Sequence, residues 1–430
     1  MQRHAALARR LNGVPRHARL LRDLAARTFE RLARFVEARD GFALSPGDVA
    51  EQSGSADFLA LDEAAAAIFL REGATPGVGE TLVQTDLAAT LEAISAGGAD
   101  GFYKGRTAEL IVAASEANGG ILTIEDFDAY AVREMEPVTC SYRGYDIASS
   151  PPPSSGGLVI CEILNVLEGY PISYLGFGSA ETTRLMVEAM RHAFVDRNTA
   201  LGDPDFVDNP VEKLTSKGYA EEVRARIDPY RAGVSSDLTP EGFAESTETT
   251  HYSIIDGEGN AVAVTYTLNG SFGAGKVAPG TGVLLNNEMD DFTIKPGVAN
   301  LYGLIQGEAN AIEPGKSPLS SMSPTIVSKD GEPFMVIGSP GGSRIITITL
   351  QSIMNVIDHG MNIQEAIDAP RIHHQWLPDR VLMEPRALSP DTLRILAGQG
   401  YSVSEDPGWP IWGEAAGILV GGPDLDAVEA

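Results

Sequence analysis

The run Thr249-Thr250-His251-Tyr252-Ser253 places two hydroxyls at the head of a strand-like alternation, just after a polar stretch rich in Ser, Thr, Gly and acids. A threonine hydroxyl is a poor nucleophile near neutral pH and needs a base within hydrogen-bond reach; a threonine at a chain terminus carries one in its own α-amine. An internal threonine has no such amine. Chemistry at Thr249 therefore requires the bond between Glu248 and Thr249 to be cut first, which would make the chain the precursor of an N-terminal-nucleophile hydrolase. The bland alternative is a Thr-Thr pair that merely favours a strand. A second feature lies downstream, where Gly338-Ser339-Pro340-Gly341-Gly342 closes a strand pattern and opens a helix pattern over 343–358. Amides at a helix start point outward without intrahelical acceptors and favour negative charge, so Gly341 and Gly342 suit an oxyanion hole. Glycine turns of this kind also occur with no catalytic role. No Gly-Lys-Ser/Thr follows, so the turn is not a phosphate loop.

The elements that must position these residues are legible as patterns. Helical periodicity covers 81–96, 107–118, 158–167 and 180–198, with breaks at Gly97-Gly98 and Gly119-Gly120. Thr123-Ile124-Glu125-Asp126 has the look of a capping box. Alternation over 251–255 and 261–267, around the turn Asp256-Gly257-Glu258-Gly259-Asn260, predicts a hairpin with Thr249 at its start. A second hairpin is expected over 324–328 and 334–337, turning at Lys329-Asp330-Gly331. Residues 231–247 have few apolar anchors and read as an exposed linker, which self-cleavage would need.

Composition narrows the class. A chain of 430 residues with 43% hydrophobic content can bury a large core, and 46 Gly with 26 Pro indicate many tight turns. The net charge of −27 argues against nucleic acid or an anionic membrane as partner, since phosphate binding needs clustered cations. There is no apolar run long enough for a membrane span. Residues 1–40 depart from the rest: ten Arg, no Lys and four acids give them about +6, and the spacing of Leu20, Leu21 and Leu24 through Phe29, Leu32 and Phe35 fits an amphipathic helix. The recorded start lacks a secretory h-region, so the expectation is a cytoplasmic chain as written, and an exported one if the true start has been lost. Two cysteines, Cys140 and Cys161, allow one bridge, and counting alone favours two free thiols. His373-His374 sits on a strand pattern that sends neighbours to opposite faces without a third ligand, so no metal is expected.

From residue 41 to 425 the chain resembles the gamma-glutamyltranspeptidase, or glutathione hydrolase, family of N-terminal-nucleophile hydrolases. The resemblance rests on five ordered motifs: 249–253, Thr265-Tyr266-Thr267-Leu268-Asn269, Leu285-Asn286-Asn287-Glu288-Met289-Asp290-Asp291-Phe292, Pro318-Leu319-Ser320-Ser321-Met322-Ser323-Pro324, and Gly338 to Arg344. It implies an α+β fold, the four-layer αββα sandwich of this superfamily, with part of the N-terminal block missing. It further implies an atypical Arg-rich segment 1–40, a mainly helical large-subunit portion 41–248, and a catalytic small subunit 249–430 released by self-cleavage, the two chains staying together as a heterodimer. Thr249 would be the nucleophile, Thr267 its hydrogen-bonding partner, and Gly341 and Gly342 the oxyanion donors.

The implied substrate is glutathione or another γ-glutamyl amide, with water, an amino acid or a peptide as acceptor, and no cofactor is required. A γ-glutamyl group carries an α-ammonium and an α-carboxylate, so its pocket needs acceptors for one and donors for the other. By resemblance Asn269, Glu288 and Asp291 take the ammonium, Ser320 and Ser321 the carboxylate, and Tyr302 belongs to a lid loop over 296–307. The family loop matching Pro151 to Gly157 lies near the cleft, which draws attention to Ser154 and Ser155 without making them catalytic. The arginine that clamps the α-carboxylate in the family lies in a block with no counterpart here, which leaves the clamp open. The alternatives are a cephalosporin or glutaryl acylase of the same superfamily, or a catalytically inactive truncated relative.

Overall fold

The computed structural model describes residues 33–235, 249–406 and 412–421. The basic amphipathic helix read over 20–35 lies almost wholly outside them, as do residues 236–247 of the expected linker and Glu248. The described chain forms two compact units. One takes the residues up to Glu134 together with Ser271–Asn287, and the other Met135–Gly270 with the residues from Glu288 onward.

The first unit is helical around a small apolar core of Leu44, Leu59, Phe69, Leu82 and Val277. Phe272 packs edge-on to Phe69 at 5.3 Å between ring centres. Helices Thr85–Gly97 and Arg106–Ala117 occupy the predicted periodic stretches, each ended by the glycine break downstream. The capping box at Thr123 forms with Asp126 as its acidic member.

The second unit holds every proposed site residue. Its strands β1 (Val138–Tyr142) and β2 (Tyr145–Ser149) lead into helices α1 (Gly156–Glu168) and α2 (Ala180–Ala200). After residue 249 come the hairpin β3 (Thr250–Ile255) and β4 (Ala261–Tyr266), the hairpin β5 (Thr325–Lys329) and β6 (Glu332–Gly338), helix α3 (Ile345–Ile357), and β7 (Ala416–Leu419). Strands β7, β6, β5, β2 and β1 pair in that order, all antiparallel, as one sheet. This sheet therefore mixes strands from both sides of residue 249. Helices α1 and α3 cover one of its faces, and the β3–β4 hairpin packs against β6 and β7.

The α/β layering follows from burial. Nearly every residue of α1 is buried, because the helix is mostly apolar and lies between the sheet and α2. Leu158, Ile163 and Leu164 of α1, Phe194 of α2, Val327 and Ile337 of the sheet, and Leu350 of α3 share one core and are all fully buried. Each such side chain contributes roughly 1.5–3 kcal/mol. The outer side of the β3–β4 hairpin differs: Tyr252, Ile254 and Tyr266 stand exposed.

Cys140 on β1 and Cys161 on α1 form a disulfide, with Cα atoms 5.8 Å apart. Counting favoured free thiols because it cannot see that the sheet edge and the helix pack against each other. No described helix is long and apolar enough to cross a membrane.

Candidate active site

Thr249 immediately precedes β3 and is half-buried. Strand register brings its partner into place: Thr250 pairs with Tyr266, so the flanking residues Thr249 and Thr267 fall opposite one another. Thr249 Oγ1 donates to Thr267 Oγ1 at 3.3 Å, and the Asn269 amide donates to the same Thr267 oxygen at 2.8 Å. The hairpin thus holds the candidate nucleophile against a hydroxyl that a backbone amide fixes in turn. Two residues along β3, His251 is buried with its ring against Thr265 Oγ1 at 2.7 Å. Burial lowers its pKa to about 4, so it packs as a neutral ring.

Asn269 is buried and adopts φ +74°, a left-handed conformation that Asn tolerates. Its carbonyl accepts a hydrogen bond of 2.9 Å from the Tyr302 hydroxyl. Tyr302 is itself buried, so the segment expected as a lid is folded down. Its ring lies against Gly342, where an added Cβ would come within 2.4 Å of Tyr302 Cε1. Gly341 is equally constrained, since a Cβ there would meet the Trp412 carbonyl at 2.7 Å. The two glycines have φ of +134° and +56° and lead into the short turn Gly342–Arg344 that opens α3. A chain of hydrogen bonds therefore runs from Thr249 through Thr267 and Asn269 to Tyr302, whose ring lies against Gly342.

Gly342→Ala tests that turn. The substitution combines a positive φ with contact against Tyr302, and if the turn serves as the expected oxyanion hole, displacing one donor costs about a hundredfold to a thousandfold in rate. The expected steady-state result is a fall of that size in kcat with a much smaller change in KM.

Glu288 and Asp291 bound a single 3₁₀ turn, with their carboxyl groups interacting. Burial, reinforced by the neighbouring Glu288 charge, holds the Asp291 carboxyl well above the usual carboxylate range. Burial raises Glu288 as well. The Asp291 carbonyl accepts from Gln306 Nε2 at 2.9 Å and from Asn310 Nδ2 at 2.6 Å. Asp290 plays a different part: its carboxylate accepts from the Leu301 amide at 2.6 Å and so ties the acidic turn to the Tyr302 loop.

Ser320 and Ser321 are half-buried on the loop before β5. That loop is stitched to the Pro-rich turn before α1: the Ser320 amide donates to the Pro153 carbonyl at 2.9 Å, and Ser155 Oγ donates to the Ser320 carbonyl at 2.7 Å. Ser155 thus supports the site from behind. Sequence reading missed two further groups. Arg197 on α2 is fully buried and donates from Nη2 to Ser321 Oγ at 3.0 Å. Gln375 donates to the Tyr302 carbonyl at 2.9 Å and accepts from Ser343 Oγ at 2.7 Å, bracing Tyr302 against the start of α3. The signal for Arg197 was its place three residues after Phe194 on an apolar helix stripe; Gln375 had none.

His373 and His374 are both buried. His373 contacts Thr347 Oγ1 and Gln375 Oε1, both at 2.9 Å, and His374 contacts Asp379. Burial lowers the pKa of His373 to about 3. Both rings belong to the packing behind the site.

Sheet layers carrying a threonine at the head of the β3–β4 hairpin define the class as an α+β fold of the N-terminal-nucleophile hydrolase type. A family model described as Gamma-glutamyltranspeptidase matches residues 26–428, and the chain belongs to that family. It is 57% identical over 391 residues to a "Glutathione hydrolase proenzyme" of Pseudomonas sp. (strain A14), covering 90% of this chain and 67% of that protein. It is 52% identical over 374 residues to the protein of the same name in Escherichia coli (strain K12), covering 86% of this chain and 64% of that one. Among solved structures it resembles a cephalosporin acylase from Bacillus halodurans, with TM-score 0.76 and 30% identity over 89% of this chain and 68% of that one. The chain thus spans about two thirds of the length of these relatives.

Proposed function

We infer that the chain is the self-cleaving precursor of a γ-glutamyl hydrolase and transpeptidase acting on glutathione and related γ-glutamyl amides. The observation that carries this reading is the hydrogen-bonded chain from the Thr249–Thr267 hydroxyl pair to Tyr302, whose ring packs on the glycine turn. Cutting before Thr249 frees its α-amine, which serves as the base. Thr249 Oγ1 then attacks the γ-carbonyl carbon while its proton passes to the α-amine. Amides of Gly341 and Gly342 take the developing oxyanion charge. As the C–N bond breaks, the α-amine returns the proton to the leaving amine, and a γ-glutamyl ester remains on Thr249. Water releases glutamate from that ester, or an acceptor amine takes the acyl group. The two processed chains stay together in this reading because strands from both sides of residue 249 share one sheet.

Acid chemistry separates this reading from the acylase one, which the likeness to a cephalosporin acylase keeps in view. Glu288, Asp291 and Asn269 offer acceptors for an α-ammonium, a group that a glutaryl amide lacks. Release of 4-nitroaniline from γ-glutamyl-4-nitroanilide and from its glutaryl counterpart is the test. The γ-glutamyl compound should be preferred roughly a hundredfold or more in kcat/KM. Equal rates, or a preference for glutaryl, would assign the site to the acylase reaction.

The acid pair also sets a pH dependence. Below the raised pKa of Asp291 the pair carries a proton and loses attraction for the ammonium. KM for the γ-glutamyl donor should therefore rise as pH falls through that range, with kcat changing less, whereas KM for the glutaryl compound should not rise. Measuring both KM values across pH 4 to 9 checks it.

A further inference from the structure

Arg197 is 1% exposed, yet its guanidinium is met by neutral acceptors. Nε donates to Ser155 Oγ at 2.9 Å, Nη1 to Asn198 Oδ1 at 2.8 Å and Gln306 Oε1 at 3.3 Å, and Nη2 to Ser321 Oγ at 3.0 Å. Four of its five N–H groups are thereby placed, and the remaining one is on Nη2, the nitrogen that reaches Ser321. Among the described residues no carboxylate forms an ion pair with it. Burial lowers its pKa to about 10, against the opposing pull of the Asp291 charge. A buried cation held only by neutral groups is costly unless an anion completes its surroundings.

Ser321 shows where that anion belongs. Its Oγ accepts from Arg197, so the hydroxyl proton is turned away from the guanidinium and is free to donate forward. The neighbouring Ser320 Oγ accepts from the Met322 amide at 3.1 Å and is left in the same state. On the other side, Gln306 accepts from Arg197 while its Nε2 donates to the Asp291 carbonyl, which ties the cation to the acidic turn. One guanidinium thus touches the Ser321 loop directly and the acidic turn through Gln306.

We propose that Arg197 is the positioning residue of the α-carboxylate subsite, supplying its positive charge and orienting Ser321 from behind. This rests on the γ-glutamyl reading above. In this chain, charge for the carboxylate comes from α2 through a serine hydroxyl. Asp291 and Arg197 then read the two charges of one α-amino acid group together.

The test compares γ-glutamyl-4-nitroanilide with 4-aminobutyryl-4-nitroanilide, which keeps the ammonium and lacks the carboxylate. Arg197→Gln should raise KM for the γ-glutamyl compound roughly thirtyfold or more, change kcat/KM for the aminobutyryl compound less than threefold, and so collapse the preference between them. Arg197→Lys, which keeps the charge but not the fork, should recover part of it. Ser321→Ala should cost less in the Arg197→Gln background than in the native protein, since the two act through one contact. An equal loss on both compounds would show a structural role and overturn the proposal, as would an unchanged preference. If Arg197→Gln fails to fold or to be cut, Arg197→Lys and Ser321→Ala decide by the same ratio. A native protein inactive on the γ-glutamyl compound would instead overturn the functional reading, and the proposal with it.

Discussion

Thr249→Ala is expected to leave a single chain of 45.6 kDa on denaturing electrophoresis, where the native protein gives two fragments, and to abolish γ-glutamyl hydrolysis. Both losses have one cause. The hydroxyl that would attack the preceding carbonyl during maturation is the one that later attacks substrate, so its removal stops the precursor twice. Removing a nucleophile costs about 10⁵-fold or more in rate, and here the base disappears with it because an uncut residue 249 has no free amine. Serine at the same position keeps the hydroxyl and should still be cut, with lower activity. A variant that splits normally with alanine in place would show that Thr249 does not perform the cleavage.

Asp291→Asn should give the second-largest loss. The substitution keeps size and hydrogen-bonding capacity but removes the charge that, in the proposed function, faces the substrate ammonium. Truncating one side of a buried charge pair costs about 2–5 kcal/mol, so kcat/KM should fall roughly thirtyfold to several-thousandfold, mostly through KM. Stability should move the other way. A folded-state pKa raised above the unfolded value gives a contribution that is present at low pH and lost as pH rises through the raised value. Wherever the native carboxyl is ionised, the asparagine variant avoids the cost of a buried negative charge. Thermal melting of the two proteins at pH 7 and at pH 4 reads this: the variant should melt no lower at pH 7, and its advantage should shrink at pH 4. A variant that melts well below the native protein at pH 7 would indicate that Asp291 serves the fold.

The parts of this site written in short-range patterns were legible in the sequence. Alternation around Asp256 to Asn260 gave the β3–β4 hairpin, and the hairpin register alone sets Thr249 opposite Thr267. The glycine turn before α3 was equally visible, since a strand ending in Gly338 and a helix beginning near Ser343 leave only a tight turn between them. The structure adds why both glycines are needed: Tyr302 and Trp412 occupy the space their side chains would take. Invisible from the sequence were contacts between distant segments. Arg197 meets Ser155, Gln306 and Ser321 across 42, 109 and 124 residues, so no local spacing links them. The disulfide was missed for a related reason, because Cys140 and Cys161 become neighbours only when a strand edge packs on a helix. Tyr302 is assigned to a lid loop by resemblance; its contacts with Asn269 and Gly342 join segments far apart in sequence and have no local signal.

The most direct test of the central claim is an intact-mass measurement on the purified protein, quenched in acid seconds after mixing with γ-glutamyl-4-nitroanilide. The expected spectrum contains two fragments, the smaller beginning at Thr249, and that fragment gains the mass of one γ-glutamyl group, which peptide mapping places on Thr249. A single unmodified chain, or a γ-glutamyl group carried on any other residue, would contradict it.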